Sequence, residues 1–131
     1  MKQTVLVIED NEQNLYLATF LLEQNDFKVI PARSGLEGIE QANRIKPDLI
    51  ILDIQLPQMD GYAVARALRR NPALNEVPIV AVTSYAMVGD RERAMEAGCN
   101  GYIEKPINPD MFLSQIINYL KAGISGGKKQ L

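Results

Sequence analysis

Two hydrophobic periods take turns along this chain, and their alternation limits the fold more than any other feature. Short runs rich in β-branched residues stand at TVLVI (4–8), FKVI (27–30), DLIILD (48–53), VPIVAVT (77–83) and GYIE (101–104). Between them apolar residues recur near helical spacing: Leu15, Ala18, Leu21 and Leu22, then Leu36, Ile39 and Ile45, then Val64, Ala65 and Leu68. Ala94 and Ala97 mark a fourth helix, and Leu113, Ile116, Ile117 and Leu120 a fifth. VLVI and LIIL are apolar at every position, as strands are when helices cover both faces of their sheet. Five β–α units of this kind predict an α/β fold: an open, doubly wound, five-stranded parallel sheet with five helices. Local punctuation agrees. Ser34 can cap the second helix, KPD (46–48) breaks the chain before the third strand, and Gly98 ends the fourth helix. One domain is expected over residues 1–121, with the glycine-rich, polar AGISGGKKQL (122–131) as a flexible tail or cut linker.

In such a sheet, ligands sit outside the carboxyl ends of the strands, at the point where strand order reverses. Strand one ends in Glu9 and Asp10, strand three in Asp53, strand four in Thr83 and Ser84, and strand five in Lys105. Each has an ordinary explanation on its own. Asp10 or Asn11 could cap the first helix, Thr83 or Ser84 the segment after strand four, and Lys105 could be a solvated lysine. Asp53 is harder to explain away, since the four residues before it are all apolar. Together the six lie at one end of one sheet, and that convergence favours a site.

Its chemistry follows from its charges. Carboxylates held within a few ångströms repel one another unless a cation joins them. The donors are hard oxygens; the chain has no histidine and its one cysteine, Cys99, has no partner. Such a set suits Mg2+ rather than zinc. Mg2+ shared between carboxylates and a phosphate suits phosphoryl transfer onto a carboxylate nucleophile, with Lys105 and the Thr83 hydroxyl on the other phosphoryl oxygens.

Composition excludes several alternatives. The net charge is −2, so no general affinity for nucleic acid or an anionic membrane is expected. A lone cysteine fits a reducing cytoplasm. The first ten residues, MKQTVLVIED, meet acid too early for a signal peptide. No apolar run approaches the ~20 residues that cross a bilayer.

The quoted residues fall into four ordered motifs: VIEDN (7–11), DLIILDIQLPQMDG (48–61), VAVTSYA (80–86) and GYIEKPI (101–107). Over residues 4 to about 121 the chain closely resembles the response-regulator receiver domain of two-component signalling, in particular stand-alone regulators. AMVGDRERAMEAGC (86–99) also resembles receivers attached to hybrid histidine kinases. The resemblance implies a flavodoxin-like strand order of 2-1-3-4-5. It makes Asp53 the acceptor of a phosphoryl group from a phosphohistidine, on a histidine kinase or phosphotransfer protein. Asp10 and Asp53 would bind Mg2+ through their side chains, Gln55 through its backbone carbonyl, and Glu9 through a water. Lys105 would pair with the phosphoryl group, and the peptide to Pro106 would be cis. Thr83 and Tyr102 would be the switch pair, altering affinity for a downstream target protein at the face of helix four, strand five and helix five. The donor would dock near helix one, whose outer face is expected to carry Asn14 and Leu15. A dimer formed on phosphorylation is left open. Gln55 and Tyr85 occupy positions that tune acyl-phosphate lifetime, and Tyr85 could hinder attacking water. Asp60 is expected to be a helix cap, Gly61 to serve the turn, and Met59 to pack.

The molecule so described is a cytoplasmic signalling switch that catalyses only its own phosphorylation and dephosphorylation. Two rivals come from other classes. Phosphatases with an aspartyl nucleophile usually place a second acid two residues on, where this chain has Gln55. A receiver-like module working without phosphorylation would not need Glu9, Asp10, Asp53, Thr83 and Lys105 all intact. A flavodoxin-like cofactor carrier fits worse, because EDNEQN (9–14) would repel a cofactor phosphate.

Overall fold

The strands expected from the apolar runs form, and their alternation sends successive side chains to opposite faces. In the computed structural model, which describes residues 2–84 and 88–129 with side chains as far as Lys121, the strands are β1 (Thr4–Ile8), β2 (Lys28–Ala32), β3 (Leu49–Asp53), β4 (Ile79–Thr83) and β5 (Gly101–Glu104). The helices are α1 (Glu12–Glu23), α2 (Gly35–Ile45), α3 (Gly61–Arg69), α4 (Asp90–Ala97) and α5 (Pro109–Lys129), with a 3-10 turn at Pro72–Leu74. All the strand pairings are parallel, in the order β2-β1-β3-β4-β5. This is the flavodoxin-like order.

Leu6, Ile8, Ile50, Leu52, Ile79 and Ala81 face one core, under α2, α3 and α4. Their strand neighbours Val5, Val7, Leu49, Ile51, Val80 and Val82 face the other, against α1 and α5. Both faces of the central strands are thereby kept from water, which is why β3 carries no polar residue before Asp53 and β4 none before Thr83.

Helix caps form where short polar side chains can accept a backbone N–H. The N–H of Asn14 donates to Asn11 Oδ1 at 2.9 Å, Glu37 to Ser34 Oγ at 3.1 Å, and Tyr62 to Asp60 Oδ1 at 3.0 Å. Asn11, rather than Asp10, therefore caps α1, and Asp10 is left available. Gly98 ends α4 at φ 110°, a left-handed conformation that glycine adopts without strain.

Three expectations need correction. The second helix does not bury Leu36 and Ile45, and Ile39 is only partly buried against the core: Leu36 is 71% exposed and the buried residues are Gly35, Gly38 and Ala42. A Cβ on Gly38 would lie 2.4 Å from Ile8 Cδ1, so this helix comes too close to the sheet for large side chains. On α1, Leu15 is buried, and the outer face presents Tyr16 and Phe20, stacked with centroids 6.2 Å apart. Finally, α5 extends to Lys129, so the segment 122–131 begins within a helix rather than after one. On α5 the spacing also passed over Phe112, which is fully buried.

Candidate functional site

Parallel pairing brings the ends of β1, β3, β4 and β5 to one edge. Ile8 is beside Leu52, Asp53 beside Val82, and Thr83 beside Glu104. Glu9 follows β1 directly, Asp53 and Thr83 are the last residues of their strands, and Lys105 follows β5. Glu9, Asp53 and Thr83 are buried, and the Lys105 side chain keeps only a tenth of its exposure. Asp10 alone of the acids faces solvent. Adjacent residues at a strand end point to different sides, so the acid pair splits into one buried and one exposed carboxylate.

Carboxylate oxygens of Glu9, Asp10 and Asp53 lie within 4.8 Å of one another. Lys105 Nζ reaches across to Glu9 Oε1 at 2.7 Å and Asp53 Oδ2 at 3.4 Å. The N–H of Gln55 donates to Asp53 Oδ1 at 2.9 Å, and that of Asn11 to Glu9 Oε2 at 3.2 Å. The Gln55 side chain accepts from the Ser84 N–H at 3.0 Å, which ties the loop after β3 to the end of β4. Each Asp53 oxygen is thus oriented by a different group, and Oδ2 is the one turned toward the ammonium.

One ammonium does not balance three carboxylates. Burial, with help from the neighbouring Asp53 carboxyl, pushes Glu9 up to about 7, against the opposing contacts with Lys105 and the Asn11 N–H. Surplus negative charge among hard oxygens is what a divalent cation neutralises, so the residues fit Mg2+. The raised Glu9 also predicts a stability effect. The folded state binds a proton between pH 4.5 and about 7 that the unfolded chain has already released, so this group's contribution is complete below pH 4.5 and is lost as pH rises through 7. Its size is about 1–3 kcal/mol. Thermal melts of metal-free protein and a Glu9→Gln variant should therefore diverge as pH rises from 5 to 7.5, the variant becoming relatively more stable. Parallel pH profiles would refute it.

Tyr102, on β5, is half-buried against the core under α2–α4, and its hydroxyl is buried with no hydrogen-bond partner among the described residues. The Lys105–Pro106 peptide is cis. Met59 packs against the same core. Tyr85 lies outside the described residues. Sequence reasoning did not reach the Gln55–Ser84 tie, nor an ion pair between Arg33, in the loop after β2, and Glu12, the first residue of α1. Both join distant segments through ordinary polar residues, and no local pattern marks them.

The pattern of the response regulator receiver domain family matches residues 5–117. The polar-differentiation response regulator DivK of Brucella ovis is 42% identical over 120 residues, spanning 92% of this chain and 98% of its own. Among solved structures, a CheY-like receiver domain protein from Methanospirillum hungatei superposes with a TM-score of 0.87 at 26% identity, over 96% of this chain and 99% of its own. The receiver domain of a sensor histidine kinase from Pseudomonas aeruginosa gives 0.85 at 30% identity, over 92% and 99%. That structure has a magnesium ion coordinated in the active site cleft. No helix among the described residues is long and apolar enough to cross a membrane.

Proposed function

The chain belongs to the response regulator receiver domain family, and from that premise we propose that Asp53 accepts a phosphoryl group from a phosphohistidine of a histidine kinase or phosphotransfer protein. The observation that carries this reading is the reach of Lys105 to Glu9 and Asp53 together, which fixes an ammonium beside the Asp53 oxygen free to attack. That oxygen, Oδ2, bonds to phosphorus as the bond to the donor imidazole breaks, and the imidazole leaves with a proton. The Gln55 N–H holds Oδ1 and so fixes the plane of the carboxylate. Lys105 and the Thr83 hydroxyl supply positive charge and a donor to the phosphoryl oxygens.

Asp10 and Asp53, with the Gln55 carbonyl and with Glu9 through a water, would hold Mg2+. When bound, the ion would supply the charge neutralisation that lets an anionic phosphoryl group approach three acids. Phosphorylation then biases an existing two-state equilibrium through Thr83 and Tyr102, changing the affinity of the α4–β5–α5 face for a downstream target. The donor docks by the outer face of α1, where Tyr16 and Phe20 are exposed. Hydrolysis of the acyl phosphate resets the switch, and the only turnover is of the domain's own phosphate.

The test is incubation with a small phosphodonor in Mg2+, followed by intact mass and reductive mapping of the modified residue. A hydroxylamine-sensitive adduct on Asp53 that a chelator prevents is expected; no adduct, or one elsewhere, would overturn the reading. Asp10→Asn should weaken Mg2+ binding at least about tenfold in a calorimetric titration, because it removes a charged ligand. Unchanged affinity would remove Asp10 from the metal site.

A further inference from the structure

At the opposite end of the sheet from Asp53, a single arginine gathers three segments. Arg69, the last residue of α3, donates from Nε to the Gly98 carbonyl at 2.9 Å, from Nη1 to the Leu74 carbonyl at 2.7 Å, and from Nη2 to Asn100 Oδ1 at 2.6 Å. Asn100 Oδ1 also accepts from the N–H of Ile79, the first residue of β4, at 2.9 Å, and its own N–H returns to the Ile79 carbonyl at 2.7 Å. Gly98 is packed against the same side chain: a Cβ there would meet Arg69 Cγ at 2.5 Å. Arg69 makes no ion pair with a carboxylate among the described residues. Its positive charge instead faces the carbonyl ends of α4 and of the 3-10 turn, where helix dipoles favour a cation. Burial costs the guanidinium enough to lower its pKa, so the arrangement persists because the planar fork satisfies three acceptors at once.

The two ends of α4 are held in different ways. The C-terminal end has the guanidinium fork, a left-handed glycine and the buried Ala94, Ala97 and Cys99. Toward the phosphorylation site the helix begins at Gly89, which has no side chain to cap it, after a Val88 that is fully exposed. Among the described residues, the side-chain contacts at this end include Arg93 over the Tyr62 ring at 4.4 Å and Arg93 to Asp90 at 3.9 Å. Such contacts re-pair with small rotamer changes, whereas the carbonyls held by Arg69 are part of the backbone.

We propose that Arg69 is a positioning residue of the switch: it pins the C-terminal end of α4 to α3 and β4, so that the helix responds to the site by swinging about Gly98. The pin itself stands on the contacts above. That the swing answers phosphorylation rests on the function proposed for Asp53.

Residue-resolved hydrogen exchange of the whole chain tests both parts, because the N–H groups of Gly98, Cys99 and Asn100 are each hydrogen-bonded to backbone and report opening at the pin. In the unmodified protein, Arg69→Met keeps the aliphatic stem and removes all donors. Exchange at residues 98–100 should then rise by about tenfold or more, with amides of β1 and β3 within about twofold of wild type. Arg69→Lys, which keeps the charge but not the fork, should fall between; if the Met variant does not fold, the Lys variant decides. After treatment with acetyl phosphate and Mg2+, wild type should change exchange at residues 88–93 and leave 98–100 within about twofold, while in the variants the change extends to 98–100. Unchanged exchange at 98–100 in the variants would overturn the pin. Equal change at both ends of α4 in phosphorylated wild type would overturn the swing. A wild type that takes no phosphoryl group refutes the proposed function instead, and the unmodified comparison still judges the pin.

Discussion

With Asp53 replaced by Asn, labelling by a small phosphodonor in Mg2+ falls by at least about a thousandfold, the scale on which removal of a nucleophile is felt. The carboxamide has nearly the same shape and can still accept the Gln55 N–H, so Asp53→Asn should fold. What it loses is the negative charge that makes Oδ2 a nucleophile beside Lys105. The same substitution should stabilise the metal-free protein, because it removes a buried charge close to Glu9. It should also bring Glu9 down from about 7, since the Asp53 carboxyl is the second cause of that rise after burial. Radiolabel incorporation, a melting curve and a titration of Glu9 read the three effects independently. Labelling at the wild-type rate would end Asp53's candidacy, and a lower melting temperature would contradict the charge argument.

Gly61→Ala should also damage the site, although Gly61 has no functional group. The added Cβ would lie 2.4 Å from Ile54 Cα, 2.7 Å from the Ile54 carbonyl oxygen and 2.9 Å from the Asp53 carbonyl oxygen. All three are backbone atoms, so no rotamer change relieves the contact. Either the start of α3 retreats, breaking the Gly61 N–H to Ile54 carbonyl bond of 3.1 Å, or the chain at Asp53 and Ile54 moves. A loss of about 1–3 kcal/mol is expected from the overpacking. Because the backbone that moves carries Asp53, the proposed acceptor, labelling of the folded variant should also slow at least about tenfold, as misplacement of a reacting group does. Chemical denaturation gives the first number and labelling well below the midpoint gives the second. A variant that is destabilised yet labels normally would show that α3, not the acceptor, gives way.

Gly61 also shows where a sequence stops being informative. LPQMDG reads correctly as a turn into a capped helix, and Asp60 does cap it. The reason for glycine is different: the helix start is pressed against the chain leaving β3, a contact that local spacing does not reveal. The second helix fails for a related reason. Leu36, Ile39 and Ile45 look like an apolar stripe, but only Ile39 of the three packs on the core, and the buried stripe is Gly35, Gly38 and Ala42, because close approach of a helix to a sheet selects small residues. Leu15 shows the converse: its helical spacing with Ala18 and Leu22 agrees with its burial, and the expectation of it on the outer face of the first helix runs against that spacing.

From the sequence alone came the five strands, the doubly wound sheet they require, and the edge at which Glu9, Asp10, Asp53, Thr83 and Lys105 gather. These are legible because apolar period and strand-end position are local properties of the chain, and parallel β–α units allow few arrangements. The tertiary structure decided which acid is buried, which Asp53 oxygen faces Lys105, and which arginine holds the far end of α4. Those outcomes depend on pairs some 30 to 100 residues apart meeting at hydrogen-bond distance, as Lys105 meets Glu9 at 2.7 Å and Arg69 meets Asn100 at 2.6 Å. Distance along the chain carries no record of such meetings; the order of the strands and the packing of the helices create them.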